Sequence, residues 1–394
     1  MSAPNMCYSI KQIDSPVIRL YNMPVTRPVI MGRQSRKYNP RTRTKRPVGL
    51  QVDADQSPTK QHPYPQKTGN RWFLPNPLGA RLHQKSGLGI VVDNGIALLP
   101  IEVLFCHWNR HVPVENDWVS KMITNDPDFI AKSVVFDVSR SGGEIVIPIA
   151  NSSSDKDSSK SFAIKWSRNQ SHFKNEPISH IRWFWASSNV DWDELKMWVD
   201  GVISVNCIPE IFVIDDEMDI TMYRINYDDL SGNQKTWDDL TNEEIADISK
   251  SIENLKSTES GCYLPDTTNW PLSSIGIEHL PGINLREEEI SWVKSKLNND
   301  NDDNHDLFSY LTDSGCILRP GFKYGCKWRV YDDEVSNSHA PWLLQPYSDA
   351  PQSWEKLCLS VRLAEGVHKK WVCGFYHAEN WQFLNIKRWL PGRV

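Results

Sequence analysis

The segment SWEKLCLSVRLAEGV, residues 353–367, places Trp354, Leu357, Val361 and Ala364 on one stripe of a helix. The same spacing occurs in DWDELKMWVDGVISV at 191–205, where Trp192, Leu195, Val199 and Val202 form the stripe. Each predicted helix is followed by a strand, a tight turn and a strand. Upstream, LFSYLTDSGCILRPG at 307–321 mirrors VVFDVSRSGGEIVIPI at 134–149. Trp192 and Trp354 lie 162 residues apart and Pro148 and Pro320 lie 172 apart, which an extra loop of about ten residues in the first half explains. A period near 165 residues is too long for a solenoid. The pattern predicts an α+β protein built from two tandem copies of one unit, each a helical or mixed N-terminal subdomain followed by a small mixed α/β subdomain.

Working outward, residues 1–68 have little hydrophobic periodicity and carry the run MGRQSRKYNPRTRTKRP at 31–47, so they read as a disordered basic arm. The first copy is expected over 70–230, with the folded body beginning near Arg71 and a buried helix from Gly95 to Arg110. NSSSDKDSSKS at 151–161 reads as an exposed loop. A polar connector follows over 231–274, then the second copy over 275–394, whose last subdomain spans 318–394. Its first predicted helix has Asn284 in place to cap and Glu287 three residues on.

The 394 residues give room for more than one core, and the 39% hydrophobic content supplies them. No apolar run approaches bilayer length and no secretion signal is visible at the N-terminus, so a cytoplasmic protein is expected. Eight cysteines stand singly, without a CxxC pair, and read as reduced thiols. The 17 tryptophans read as core anchors. The net charge of −5 hides an asymmetry: residues 1–70 hold twelve Lys/Arg against three Asp, so the remainder carries about fourteen negative charges. Such an acidic body disfavours generic nucleic-acid affinity, so any RNA site must be local.

Candidate chemistry lies in SGCILRPGFKYGCKWRVYDDEVSNSH at 314–339, which brings Tyr331 and His339 together after a glycine-rich turn, with Lys369 arriving beyond the next helix. A phenol, an imidazole and an ammonium supply a proton acceptor, a proton donor and a fixed positive charge. That set can cleave a phosphodiester through its own neighbouring hydroxyl. The first copy offers Asn169 and Cys207 for the tyrosine and lysine, while SHIRW at 179–183 keeps His180 opposite the SHAPW of 338–342.

The combination GFKYGCKWRVY, SHAPWLL and SWEKLCLSVRLAEGVHKKWV resembles the catalytic domain of the archaeal-type tRNA-intron splicing endonucleases. The likeness extends over roughly residues 85–230 and 275–392. It departs from the family pattern at Ala340, Pro341 and Trp342. The resemblance implies a fused form, an inactive structural copy followed by a catalytic copy with a nuclease subdomain, acting as a homodimer on precursor tRNA. It implies cleavage at bulge-helix-bulge sites without a cofactor or metal, leaving 2′,3′-cyclic phosphate and 5′-hydroxyl ends. Tyr331 is then the proton acceptor, His339 the donor and Lys369, rather than its neighbour Lys370, the charge stabiliser. Arg362 and Arg388 are the pair that sandwiches a bulged base, with Lys387 and Trp389 as competitors for the second place. The loop SSNVDWDE at 187–194, with Asp191 and Asp193, corresponds to an acidic loop that the family inserts into the other protomer.

Two other readings stand beside this one. Asp302, Asp303, His305 and Asp306 in NDNDDNHDLF form an oxygen-rich run that suits a metal-dependent nuclease, or a solvated helix-capping loop. A non-catalytic RNA-binding subunit is the other.

Overall fold

The computed structural model describes residues 62–152, 160–168, 170–267, 269–299, 306–336 and 339–390. They form two compact units. One takes the residues up to 152 with Lys165–Glu176 and Asp216–Ile220, and the other takes 160–164, Pro177–Asp215 and 221–390.

The first unit opens with strands β1 (Gln66–Thr68) and β2 (Arg71–Pro75), helix α1 (Leu78–Ser86), and strands β3 (Ile90–Val92) and β4 (Gly95–Leu98). These strands pair in the order β1-β2-β4-β3. Helices α2 (Pro100–Arg110), α3 (Trp118–Asn125) and α4 (Phe129–Ser139) lead to strand β5 (Ile145–Pro148). Trp118 and Phe129 are buried edge-to-face, with ring centroids 5.7 Å apart. Strand β6 (Ala163–Trp166) comes next.

Two expectations change in this unit. Gln66–Thr68, expected within the arm over 1–68, are a strand, with Gln66 across from Phe73 and Thr68 across from Arg71 in the β1–β2 hairpin; residues 1–61 lie outside the described residues. The single helix expected from Gly95 to Arg110 is a strand and a helix. Pro100 has no N–H to give a preceding turn, so it opens α2, and the wholly buried Gly95–Leu98 run joins the ladder with β2. A short run that is apolar on every side reads alike as either element.

The second unit begins with β7 (Ser179–Trp185), α5 (Trp192–Ser204), β8 (Ile208–Ile214) and β9 (Ile220–Asp228). Helix α6 (Asn242–Ile252) and strands β10 (Lys256–Thr258), β11 (Gly261–Pro265), β12 (Ile277–Glu278) and β13 (Gly282–Leu285) follow. These four strands pair as β10-β11-β13-β12, the order of the four-stranded sheet in the first unit. The boundary expected between 274 and 275 therefore cuts a sheet, since Cys262 of β11 pairs with Leu285 of β13. Three- to five-residue strands carry too little periodicity to be read singly.

Helices α7 (Glu287–Asn298) and α8 (Leu307–Asp313) come next. The cap of α7 falls two residues later than expected: Arg286 is the N-cap, and its N–H donates to Glu289 Oε2 at 2.8 Å. Glu289 also accepts the Gly276 N–H at 3.2 Å, much as buried Glu102 accepts the N–H groups of Gly89 and Leu99 in the first unit.

The chain closes with β14 (Ile317–Pro320), β15 (Trp328–Tyr331), β16 (Trp342–Pro346), α9 (Trp354–Gly366), β17 (Lys370–His377) and β18 (Asn380–Arg388). The sheet of this unit runs β14-β15-β16-β17-β18-β9-β8-β7. At its middle β18 and β9 are antiparallel, with Ile386 across from Ile225. Both expected stripes are buried. Trp192, Leu195, Val199 and Val202 of α5 and Trp354, Leu357, Val361 and Ala364 of α9 join one core with Ile211, Ile225, Leu343, Trp371 and Ile386 of the sheet. Each such large apolar side chain contributes about 1.5–3 kcal/mol by leaving water. On the other side Phe308, Leu311 and Trp292 pack with Leu318, Val330 and Val372.

Candidate active site

The register of three neighbouring strands brings the sequence-predicted residues to one end of the sheet. β15 and β16 are antiparallel with Val330 across from Trp342, so Tyr331 is level with Pro341. β16 and β17 are parallel with Trp342 across from Lys370, so Lys369 is level with Pro341 on the other side. Two strand spacings make the backbone separation of Tyr331 and Lys369 roughly 10 Å, within reach of both long side chains. The helix end makes this possible. His368 adopts a left-handed φ of 57°, and the Lys369 N–H returns to the Ala364 carbonyl at 2.9 Å before β17 begins.

Ala340 is the meeting point. It is buried and clusters with Ile317 and Tyr331, its carbonyl accepts the Lys369 Nζ at 2.5 Å, and His339 is its chain neighbour. His339 is exposed, whereas Tyr331 is only 5% exposed. Burial, and then the nearby charge of Arg329, lower the Lys369 pKa below its ordinary value. Lys370 points elsewhere: its Nζ reaches Asp228 Oδ2 at 2.8 Å. The acidic run after Tyr331 is at the surface, with Asp333 and Glu334 exposed.

The arginine pair also shares a place. Arg362 is exposed on α9, and the Arg388 N–H donates to Glu365 Oε1 of that helix at 2.7 Å. Burial pushes the Cys358 thiol up to about 11, and the charges of both Arg388 and Arg362 oppose that rise. Trp389 is engaged differently, with the Arg224 guanidinium 4.1 Å from its ring. Lys387 is exposed and pairs in register with Arg224.

One expectation is corrected. In the parallel β7–β8 pair Ser179 lies across from Ile208, the relation Trp342 has to Lys370, so His180 lies one residue inside the strand and does not occupy the position of His339. It is a core histidine, 3.2 Å from Ser161 Oγ, and burial lowers its pKa. The loop at 187–194 is held by its own chain: the Val190 N–H donates to the Gln352 carbonyl, and Trp192 Nε1 donates to that of Pro351 at 2.9 Å. Asp191 caps α5 through the Glu194 N–H, and Asp193 accepts from the Tyr347 hydroxyl at 3.0 Å. Asp306 is the N-cap of α8, accepting the Ser309 N–H and hydroxyl at 2.9 Å each, as a capping loop requires. Asn169, Asp302, Asp303 and His305 lie outside the described residues. Cys207 is a buried thiol 3.4 Å from the Pro177 carbonyl.

The sequence reading gave no role to Arg329, which donates to Tyr331 Oη at 3.0 Å. Its signal was available: residues i and i+2 of a strand share a face. The buried Glu289–Arg319 pair, at 3.0 Å, was missed too, because its partners come from a helix and a strand thirty residues apart.

A phenol, an imidazole and two cations at one end of a mixed sheet are groups that can move protons and face anionic charge. Comparison with known proteins names the particular group. Residues 302–381 match the tRNA intron endonuclease catalytic C-terminal domain. The chain is 26% identical over 167 residues to a tRNA-splicing endonuclease of Thermoplasma volcanium, covering 41% of this chain and 49% of that one. It is 30% identical over 177 residues to one of Picrophilus torridus, covering 44% and 54%. A Methanopyrus kandleri tRNA-splicing endonuclease is 30% identical over 67 residues, or 17% of this chain and 37% of that one. The chain thus spans about half the length of the first two relatives. The likeness to tRNA-splicing endonucleases therefore rests on residues 302–381 and on relatives matched over part of their length. Among the described residues no helix is long and apolar enough to cross a membrane.

Proposed function

We propose that the chain is a tRNA-intron endonuclease that cuts precursor tRNA at bulge-helix-bulge sites without a metal. The observation that carries this reading is the convergence of Tyr331 and Lys369 on Ala340, the chain neighbour of His339. In the reaction the ribose 2′-oxygen bonds to phosphorus as the bond from phosphorus to the 5′-oxygen breaks. Deprotonated Tyr331 takes the 2′-hydroxyl proton, protonated His339 gives a proton to the departing 5′-oxygen, and the Lys369 ammonium faces the extra charge on the five-coordinate phosphorus. No water enters, so the products are a 2′,3′-cyclic phosphate and a 5′-hydroxyl.

In this reading the upstream copy is structural, Arg362 and Arg388 hold a bulged base, and two chains pair so that two sites lie a fixed distance apart. The identical strand orders of the two four-stranded sheets, and the matched buried stripes of α5 and α9, support a two-copy chain. The test offers the purified protein a bulge-helix-bulge RNA in EDTA and identifies the termini. Cyclic phosphate with 5′-hydroxyl ends is the expected result. Cleavage only with added Mg²⁺, or 5′-phosphate ends, means a metal-dependent nuclease, and binding without cleavage means a non-catalytic subunit.

A further inference from the structure

We infer that Arg329 is a positioning residue for Tyr331, holding the phenol oxygen in place and setting a positive charge against it during proton transfer. This rests on the functional reading above and adds a residue to it. Arg329 is fixed at two points. Its Nε donates to the Pro320 carbonyl at 3.1 Å and its Nη1 to Tyr331 Oη at 3.0 Å. Two rings flank it, with the guanidinium carbon 6.0 Å from the Tyr324 centroid and 5.8 Å from that of Tyr331. The turn carrying Tyr324 is itself tied down, with the Gly321 N–H on the Lys327 carbonyl at 2.9 Å and the Tyr324 N–H on that of Gly321 at 2.8 Å.

Among the described residues, the two other cations considered at this end of the sheet do not bond the phenol. Arg319 lies directly across from Arg329, but its guanidinium meets Glu289 at 3.0 Å and the Gly276 carbonyl at 2.9 Å. The Lys369 ammonium donates to the Ala340 carbonyl at 2.5 Å rather than to the phenol, with donors left to face the phosphate. Arg329 is thus the cation hydrogen-bonded to the phenol. A guanidinium only donates and keeps its proton, so it cannot replace either the acceptor or the donor of the reaction. Orientation and charge at the phenol oxygen are what it contributes.

The test is a double-mutant cycle on the full chain, using single-turnover cleavage of bulge-helix-bulge RNA. Binding is measured separately with an RNA that lacks the 2′-hydroxyl at the cut. Arg329→Gln is expected to slow cleavage about 100-fold while affinity changes less than about threefold. Arg329→Lys recovers part of the rate. In a Tyr331→Phe background, Arg329→Gln has less than about a threefold further effect, because the residue acts through the phenol. Unchanged thermal melting shows that the variants fold. An equal loss with and without Tyr331, or a loss confined to affinity, overturns the proposal and leaves the functional reading standing. A wild-type chain that does not cut the RNA overturns that reading and this proposal together.

Discussion

Lys370 and Trp342 lie across from each other in the parallel β16–β17 pair, and both donate to Asp228 Oδ2, at 2.8 and 3.0 Å. This arrangement ties Lys370 to the end of β9, while its neighbour Lys369 turns to Ala340. Adjacent residues of a strand end face opposite ways, so the two lysines have separate surroundings.

Lys369→Ala should therefore slow single-turnover RNA cleavage by about 10²–10³-fold with binding retained, and Lys370→Ala should leave the rate nearly unchanged. Equal losses in the two variants, measured under saturating protein, would remove Lys369 from the mechanism.

Asp228 gives a pH dependence. Burial raises its pKa, but the hydrogen bonds and charge of Lys370 and the Trp342 indole outweigh burial, and the net shift is downward. A lowered carboxylate contributes stability above its unfolded value, near 3.9, and loses it as pH falls through the folded value. Asp228→Asn should lower the urea midpoint at neutral pH, and the difference from wild type should shrink below about pH 4. A constant difference across that range would contradict the linkage.

Trp354 is 1% exposed, stacked on Phe184 with centroids 4.3 Å apart, and part of the core under α9. Trp354→Ala is expected to destabilise the fold by about 3–5 kcal/mol, read by chemical denaturation of the full chain. A cost below about 1 kcal/mol would mean that this core repacks freely.

Glu289 is buried and compensates both Arg319 and Arg286. Glu289→Gln leaves the buried Arg319 charge uncompensated, at a cost of about 3–5 kcal/mol. The pairing of α7 with β14 is then the first to open, and amide exchange along Ile317–Pro320 should quicken. Unchanged protection of those amides would show that the ion pair does not hold the strand.

Arg362 is exposed, so replacing it should cost little stability. If it stacks on a bulged base, Arg362→Ala weakens binding of a bulged RNA by about 1–3 kcal/mol and leaves affinity for an unbulged duplex unchanged. Equal weakening for both RNAs would make it a phosphate contact.

Much of the fold was legible in the chain. The stripes of α5 and α9 follow from a 3.6-residue period that survives without tertiary information, and both are buried as expected. The break at Pro100 escaped because the apolar run around it has no polar side to set a phase. The hairpin at Gln66–Pro75 and the β11–β13 pair escaped because short exposed strands declare themselves only through their partners. His180 was misplaced because a matching Ser-His pair in sequence is not a matching register, and one residue of slip carries a side chain to the other face.

What the chain determined by itself was local: helical periodicity, caps, turns and the motif carrying Tyr331, His339 and Lys369. Only the tertiary structure decided that Lys369 and Lys370 part company, that Val190 in the 187–194 loop bonds Gln352, and that Arg329 hydrogen-bonds the phenol. The physical reason is that strand register and side-chain facing are set by pairing between segments far apart in sequence. Hydrogen-bond partners chosen there leave no mark on the local pattern.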